Sequence, residues 1–408
     1  MNRRKFLQQL GLVSGTTLVA IGTRNWASRG VASNSNTKRL IVVFLRGAVD
    51  GLNVVIPHWE NSYYDLRSLT AIAPPNEPNG ALDLDGHFGL HPALSPLIPL
   101  WKQGSLAFVH ACGSPDPTRS HFDAQDYMES GTPGIKKTPD GWMNRLLSLL
   151  HSQSPIQAVN VGATMPRILN GRMSVASLPV GREAERPFPL DRPQMSAAFD
   201  QLYNGNDAMS KAYQEGRAAR QQLMADLDQE MMEANNGAAS PNNFARASQQ
   251  LARLMVKDPS VELAFMALGG WDTHVNQGGS TGQLARNLKS LGEGLAVLNQ
   301  GLGSVYSDTA IVVLSEFGRT IRENGNGGTD HGHGNVMWLM GGGIKGGKVY
   351  GEWPGLAEAQ LYEGRDLAVT TDFRDVIASV LNRHLQLDTT KIKQILPNYS
   401  PKQEIGVV

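Results

Sequence analysis

Two histidines and two acidic residues follow a short apolar run, in a stretch that is rich in glycine. Glu316 comes directly after the run, and residues 327–334 then hold Asp330, His331 and His333 among glycines. Imidazole and carboxylate groups are common metal ligands, and glycine lets a backbone approach a ligand closely. The alternative is a flexible glycine-rich loop without a ligand. This stretch is the strongest indication of a binding site in the chain.

A second candidate pair is Asp272 and His274, which follow the apolar run 263–268. Residues two apart in an extended segment point to the same side, so the carboxylate and the imidazole could bind one metal ion. Alternatively, Asp272 only orients His274. Two glycines and Trp271 precede the pair and indicate a shaped loop, which favours the metal interpretation.

Asp50 is a third candidate, since it lies between Gly47 and Gly51 after the apolar run 40–45. The glycines allow a tight turn that would bring its carboxylate to the edge of a sheet, where it could hold a divalent ion. The alternative is a turn aspartate that bonds its own backbone.

Ser120 is the candidate nucleophile. Together with Asp123 it resembles a capping box at the start of a helix that runs toward Gly131. A hydroxyl at a helix N-terminus is well placed to attack an anionic ester, because the helix dipole and the free N–H groups stabilise negative charge. The alternative is that Ser120 only caps the helix. Nearby Cys112 is typical of a small buried hydrophobic residue.

These candidates depend on a sheet that places them at one edge. Short apolar runs without alternation predict strands buried on both faces, with helical patterns between several of them, and so an α/β fold with a mostly parallel central sheet and helices on both faces. In such sheets ligands bind beyond the carboxyl ends of the strands. The predicted strands are 40–45, 106–109, 158–161, 263–268, 310–314 and 337–340.

One large domain over residues 33–408 is predicted, with an inserted helical pair at 192–257. Apolar residues at near-helical spacing recur through that segment on both sides of Asn235, Asn236 and Gly237. The pair could pack against a flank of the sheet or form a lid over the site.

Residues 1–32 are interpreted as a twin-arginine signal peptide. Arg3 and Arg4 precede an uncharged stretch at 10–22, and the small residues 30–33 offer a cleavage site. The stretch is shorter than the roughly 20 residues of a membrane-spanning helix. We therefore expect the twin-arginine export machinery as a partner, a periplasmic or extracellular location, and no stable membrane span after processing. The alternative is an unprocessed N-terminal anchor.

Composition narrows the partners further. Lysine plus arginine number 37, as do aspartate plus glutamate, so the formal net charge is zero. No overall field would attract nucleic acid, and we expect none as a partner. With a single cysteine, no internal disulfide can form.

Several separate motifs in one order make the chain similar to the bacterial family known as domain of unknown function 1501. The motifs are residues 45–53, 88–92, 119–122, 270–274, 315–319, 328–332 and 370–374. The resemblance implies an alkaline-phosphatase-like fold, in the superfamily that also holds the sulfatases. It also implies divalent metal ions, here Zn, Mg, Mn or Ca, at the carboxyl end of the sheet beside a nucleophile.

The resemblance assigns roles by chain order. It implies a nucleophile at Ser120 or, failing that, Thr118, and charge neutralisation on the transferred group by Arg319. Glu316 falls where the superfamily has an Asp-His pair, which leaves a two-metal site one histidine short unless His333 replaces it. The metal ligands implied are Asp50, Asp272, His274, Glu316, Asp330, His331 and His333.

A metal-dependent hydrolase of phosphate or sulfate esters is the predicted function, with a small anionic ester or a polysaccharide as substrate. It would act through Ser120 or through a water activated by the metal. Sulfatase chemistry by a modified cysteine is disfavoured, because Pro115 occupies the nucleophile position of that motif. The alternative is a non-catalytic relative that binds a polysaccharide, a surface component or a partner protein, since fold alone does not decide function.

Overall fold

All six predicted strands form, and they lie in one nine-stranded sheet. The computed structural model describes residues 37–150, 154, 156–162, 164–178, 193–207, 209–211, 213–214, 243–401 and 404–408. The predicted signal peptide lies outside these residues. The described strands are β1 (Arg39–Leu45), β2 (Val55–Pro57), β3 (Leu82–Asp83), β4 (Phe88–Leu90), β5 (Leu106–Gly113), β6 (Ala158–Val161), β7 (Ala176–Leu178), β8 (Leu263–Leu268), β9 (Thr309–Ser315), β10 (Asn335–Gly341), β11 (Lys348–Tyr350) and β12 (Thr371–Asp372).

Helices connect these strands. The α-helices are α1 (Gly51–Val54), α2 (Asn61–Asp65), α3 (Ile98–Lys102), α4 (His121–Ser130), α5 (Trp142–Leu147), α6 (Pro193–Leu202), α7 (Asn243–Lys257), α8 (Gln283–Leu302), α9 (Phe373–Ser379) and α10 (Thr389–Ile395). The 3₁₀ turns are Pro92–Leu97, Arg167–Leu169, Gly303–Asp308 and Glu358–Gln360, and Val380–His384 forms a π-helical turn. No helix in the described part of the chain is long and apolar enough to cross a membrane.

Alternate residues of the central strands point into two hydrophobic cores. In β1, Ile41 and Val43 lie in the core that also holds α7 and α8 side chains. Val42 and Phe44 lie in the opposite core, with side chains of α5, α9 and α10. This is the period-two alternation of a strand covered on both faces. The prediction of a mostly parallel sheet with helices on both faces is therefore confirmed.

Strand order places the carboxyl ends of β1, β8 and β9 at one edge. The sheet runs β11-β5-β10-β9-β1-β8-β6-β7, and β12 also pairs with β5. β1 lies parallel to β8 and β9, with Leu45 opposite both Leu268 and Ser315. The chain segments after β1, β8 and β9 therefore start at the same level, which is why distant candidates can meet.

β10 is a reversed strand in this sheet. The sequence predicted it within a parallel sheet, but it is antiparallel to both β5 and β9. No helix crosses between β9 and β10, and a direct return at the same edge gives an antiparallel strand. Residues 316–334 consequently begin and end at the carboxyl edge of β9.

The predicted insertion at 192–257 lies partly outside the described residues. Within it, α6 and α7 are helical. In α7, Phe244, Leu251 and Met255 are buried in the core that also contains α8. A Cβ at Gly294 of α8 would lie 2.1 Å from Cδ1 of Phe244, so this glycine lets the two helices approach closely. For α7, the packing role therefore applies.

Candidate metal centre

Three histidine rings point their Nε2 atoms at one another beyond the sheet edge. His331 Nε2 lies 2.9 Å from Nε2 of His121 and 2.9 Å from Nε2 of His274. Oδ1 of Asp272 lies 3.0 Å from His274 Nε2, 3.3 Å from His331 Nε2 and 3.5 Å from His121 Nε2. Among the described residues, the ligand atoms of His121, Asp272 and His331 lie within 4.8 Å of one another.

These separations match the spacing of donors around one small cation. Zinc bonds imidazole nitrogen and carboxylate oxygen at about 2.0–2.2 Å in a tetrahedron, which sets two of its ligands about 3.3 Å apart. The separations above span 2.9–3.5 Å. His331 and Asp272 form such a triad with His121 on one side and with His274 on the other.

The Nδ1 atoms of all three rings face acceptors that have no proton to give. His121 Nδ1 lies 2.8 Å from Oε1 of Glu316, and His274 Nδ1 lies 3.0 Å from Oδ1 of Asp330. His331 Nδ1 lies 3.0 Å from the carbonyl oxygen of Arg119. Each Nδ1 therefore donates its hydrogen to that acceptor, and a ring in its neutral form then presents an unprotonated Nε2 to the cluster.

Unprotonated nitrogens 2.9 Å apart cannot hydrogen-bond to each other. A cation between them would remove the repulsion between their lone pairs, and a carboxylate or carbonyl on Nδ1 is the usual support for a metal-binding histidine. The donor set is three imidazoles and one carboxylate. It suits zinc better than magnesium or calcium, which prefer oxygen ligands.

Glu316 contacts the cluster through Nδ1 of His121 and is not one of the converging ligand atoms. Its side chain is fully buried and accepts hydrogen bonds from His121 Nδ1, Gln125 Nε2 at 2.8 Å, the Gly47 N–H at 2.9 Å and the Ser315 hydroxyl at 2.9 Å. Burial works to raise the pKa of this carboxyl, but these hydrogen bonds outweigh it and the pKa is lowered. Glu316 is thus an anion that holds the ring of His121.

Asp330 plays the same part for His274. Its Oδ1 also accepts a hydrogen bond from Asn324 Nδ2 at 3.0 Å, and the pKa of the carboxyl is lowered chiefly by that bond. The predicted ligands Glu316 and Asp330 therefore touch ligand histidines, and their contacts with the rings are through Nδ1.

Arg319 fixes Asp272 in place. Its Nη2 donates to Asp272 Oδ1 at 2.5 Å, and the guanidinium also donates to the carbonyl oxygens of Gly47, Ala48, Trp271 and Thr329. Burial alone would raise the pKa of Asp272, but Arg319 outweighs it and the pKa is lowered. The arginine side chain has no exposed surface. The suggested contact between Arg319 and substrate is therefore not available in this arrangement.

Asp50 lies apart from the histidine cluster, in a buried ion pair. Arg67 donates to both of its carboxylate oxygens, at 2.6 and 3.1 Å, and Gln277 Nε2 donates at 2.7 Å. Both charged side chains are at most 1% exposed. Because both of its oxygens already accept from Arg67 and it is not among the ligand atoms that converge with His121 and His331, we leave Asp50 out of the candidate ligand set.

Ser120 and His333 also take other positions. Ser120 is the N-cap of α4, where its exposed hydroxyl accepts from the Asp123 N–H at 3.4 Å, as the capping alternative expected. The ring of His333 is buried against Tyr362, with centroids 4.6 Å apart.

His121 is the residue that the sequence interpretation missed. It occupies the first position of α4, directly after Ser120, the candidate nucleophile. The serine caps the helix, whereas the side chain of His121 faces the cluster. The available signal was its place inside the motif 119–122, together with β5 ending at the same sheet edge.

Glycines let the two loops of the site lie against each other. Arg319 and His331 form an antiparallel bridge, with the Gly332 N–H donating to the Gly318 carbonyl at 2.8 Å. A Cβ at Gly332 would lie 2.4 Å from the carbonyl carbon of Arg319, and one at Gly328 would lie 2.4 Å from that of His274. A side chain at Gly332 would separate the segments of Arg319 and His331, and one at Gly328 would displace His274.

The histidines differ in proton affinity. The hydrogen bond to Glu316 raises the pKa of His121. Burial lowers the pKa of His331, helped by the positive charges of His121 and Arg319. Side-chain exposures of 26% for His121, 27% for His331 and 45% for Asp272 leave one side of the cluster open to solvent. A small molecule could therefore reach a bound ion.

Comparison with known proteins adds a family and several distant structures. A family model described as protein of unknown function DUF1501 matches residues 37–396. No curated protein matches the chain.

Three solved structures that resemble the chain show how distant the likeness is. The structure of Ps i-CgsB in complex with k-i-k-neocarrahexaose is 10% identical, with 88% of this chain and 74% of that chain covered and a TM-score of 0.42. The lipoteichoic acid synthase LtaP from Listeria monocytogenes is 9% identical, with 91% and 77% covered and a TM-score of 0.38. A protein in the alkaline phosphatase superfamily from Vibrio parahaemolyticus is 11% identical, with 86% and 72% covered and a TM-score of 0.36. Structures this distant do not indicate an activity. The function is therefore argued from the residues of the site.

Proposed function

The chain belongs to the DUF1501 family, and we propose that it is a divalent-metal-dependent hydrolase of phosphate or sulfate esters. The proposal rests on one observation: three histidine Nε2 atoms and a carboxylate oxygen converge, while every Nδ1 faces an obligate acceptor. Such a set of donors fits a zinc ion. Its open side fits a small anionic ester or the ester group of a polysaccharide.

Two groups of residues would act at this site, one that binds the ion and one that orients the ligand histidines. His121, His331 and Asp272 would hold the ion, with His274 as the fourth donor in reach. Glu316, Asp330 and the Arg119 carbonyl keep the rings oriented, with each Nδ1 donating to its acceptor and each Nε2 turned toward the ion. A bound zinc ion supplies Lewis acidity, which polarises a phosphoryl or sulfuryl oxygen and lowers the pKa of water.

The proposal is for one ion rather than two. Arg67 already balances the charge of Asp50, which the family resemblance suggested as a ligand. Asp50 is also almost fully buried and is not part of the cluster of His121, Asp272 and His331, so it offers no second site beside them. We therefore expect one metal ion per chain.

Water is the proposed nucleophile. The Ser120 hydroxyl is engaged in capping α4, although it lies next to ligand candidate His121 in the chain. Water would attack phosphorus or sulfur, the ester oxygen would leave with a proton, and an alcohol and an inorganic anion would result.

Export by the twin-arginine route is part of the proposal. It is supported by Arg3 and Arg4 before the uncharged stretch 10–22. Replacing both arginines with lysine should leave the precursor in the cytoplasm of a host that has this pathway, as judged by cell fractionation. Equal export of that variant would refute the route.

Turnover of aryl phosphates and aryl sulfates by the zinc-loaded protein tests the function. We expect hydrolysis of one of the two classes, loss of activity with a chelator, and loss in His331→Ala. The matched control is His87→Ala, which changes an exposed histidine outside the cluster. Bound metal without turnover of either ester class would instead favour the non-catalytic binding protein.

A further inference from the structure

A cavity of about 550 Å³ lies at the carboxyl edge of the sheet, between α4 and the ends of β1, β6 and β8. Small-molecule sites usually have volumes of about 300–1,000 Å³. Ala267 of β8 lines the cavity and is exposed, although Phe44, its partner in β1, is fully buried. Among the described residues, the helices that cover this face of the sheet therefore leave it open here.

One face of α4 joins this cavity to the candidate metal centre. Residues three or four apart on a helix share a face, and such a set from α4 lines the cavity: Phe122, Gln125, Asp126 and Glu129. Gln125 Nε2 donates to Glu316 Oε1 at 2.8 Å, and the same oxygen lies 2.8 Å from Nδ1 of His121. Gln125 thus borders the cavity and also contacts the carboxylate that holds a ligand histidine.

The charged side chains that line the cavity are paired with each other. Arg46 Nη2 lies 2.6 Å from Glu129 Oε1, and Arg167 Nε lies 2.8 Å from Asp126 Oδ1. No other charged residue lines the cavity in the described part of the chain. The cavity therefore suits a polar, uncharged part of a ligand, while the anionic group of an ester fits the neighbouring metal centre.

Phe122 adds an apolar surface to this polar cavity. Its ring borders the cavity and is 85% exposed. It directly follows His121 in α4, so it lies next to a candidate metal ligand. Covering the ring with apolar surface of a ligand would remove both surfaces from water, which is favourable.

We propose that this cavity is the subsite for the alcohol part of the ester and that this part is a sugar, an inference that rests on the proposed function. The C–H face of the sugar ring would pack on Phe122. Its hydroxyls would exchange hydrogen bonds with Arg46, Gln125 and Thr164, whose polar side chains line the cavity. The ester group on the same sugar would then reach the metal ion.

A sugar fits these walls better than a fatty or an aromatic alcohol. An alkyl chain would take water from the guanidinium and amide groups without replacing its hydrogen bonds, which is costly. A flat aromatic ring could pack on Phe122 but would leave the same polar groups without partners. A sugar ring offers an apolar face and hydroxyls together.

Glucose 6-phosphate and ethyl phosphate, with the two corresponding sulfates, test the subsite on the zinc-loaded full chain. Both members of each pair are esters of a primary alcohol, and only the first carries a sugar ring. In the class of ester that is hydrolysed, kcat/KM for the glucose ester should exceed that for the ethyl ester at least about tenfold, because contacts away from the reacting group add binding energy.

Two variants locate the sugar. Phe122→Ala removes the exposed ring, and Ala267→Phe fills part of the cavity. Each should lower kcat/KM for the glucose ester at least about fivefold and keep that for the ethyl ester within about twofold. The control is Val256→Ala, which trims a side chain of α7 that is 49% exposed and outside the lining, and it should change neither value.

Failure of this inference can be told apart from failure of the proposed function. If no ester is turned over, the proposed function fails, and isothermal titration with the same four compounds tests the subsite by the same ratios of affinity. The inference is overturned if none of the four binds, if the glucose and ethyl esters are used or bound equally, or if Phe122→Ala treats the glucose ester as the wild type does.

Discussion

Nε2 of His121 and Nε2 of His331 lie 2.9 Å apart, while Nδ1 of each ring faces an acceptor, Glu316 for His121 and the Arg119 carbonyl for His331. The two histidines are 210 residues apart in the chain. They meet because β5 and β9 end at one edge of the sheet and the segment 316–334 stays at that edge.

Glu316→Gln should weaken metal binding without abolishing the fold. The carboxylate accepts four hydrogen bonds, and an amide would turn an N–H group toward at least one of those donors. Loss of the anion behind His121 should raise the dissociation constant for zinc about 10–100-fold. Competition with a colorimetric zinc chelator measures this, with Glu358→Gln as the control. An unchanged zinc affinity would show that Glu316 does not orient a ligand.

Asp50→Asn should cost stability and leave metal content unchanged. Removing one partner of a buried ion pair leaves the other uncompensated, so Arg67 would remain charged in the core and the free energy of unfolding should fall by about 3–5 kcal/mol. Urea unfolding and metal analysis test the two halves of this prediction. Asp65→Asn, at an exposed position, is the control. Loss of metal at native stability would mean that Asp50 is a ligand after all.

Ser120→Ala should keep ester hydrolysis. The substitution removes the cap of α4 and should lower the free energy of unfolding by about 1 kcal/mol. If water is the nucleophile, kcat stays within a few-fold of the wild type. A drop in kcat by several orders of magnitude in a folded, metal-loaded variant would assign the nucleophile to Ser120.

Acid should destabilise the protein through two buried neutral histidines, His91 and His110. In each ring Nδ1 accepts a backbone N–H and Nε2 faces a carbonyl oxygen, so no site remains for a second proton. Burial lowers the pKa of both to about 4, from an ordinary value of 6.5. The unfolded chain takes up these protons first, so stability is full above pH 6.5 and is lost as pH falls toward 4.

His110→Gln tests that pH dependence. Between pH 7 and pH 5 the wild type should lose roughly 2 kcal/mol for each of the two histidines. The variant should lose about half as much from these two sources, measured by urea unfolding with a chelator present so that metal release does not contribute. An identical pH dependence in the two proteins would contradict the assignment.

Most strands of the central sheet could be predicted from the sequence, because a strand buried on both faces appears as an uninterrupted run of apolar residues. Residues 263–268 and 310–314 lie within observed strands for this reason. The reversed direction of β10 could not be predicted, since an apolar run looks the same in either direction. The connection between two strands sets their relative direction. The glycine-rich sequence of residues 316–334 did not indicate that this connection returns to the same edge of the sheet.

The site was predicted only in part. Asp272, His274 and His331 converge as expected, because their loops follow adjacent strand ends. The sequence could not distinguish a carboxylate that faces the cluster from one that supports it, since Glu316 differs from Asp272 only in which ring nitrogen it reaches. The ion pair of Asp50 could not be predicted for a related reason: its partner Arg67 lies in no motif.

Metal analysis of the purified wild type and of His331→Ala tests the central claim most directly. After incubation with zinc and gel filtration, the wild type should retain about one zinc ion per chain. His331→Ala should retain little, with His87→Ala matching the wild type. A folded wild-type protein that retains no zinc, manganese or iron under these conditions would contradict the account.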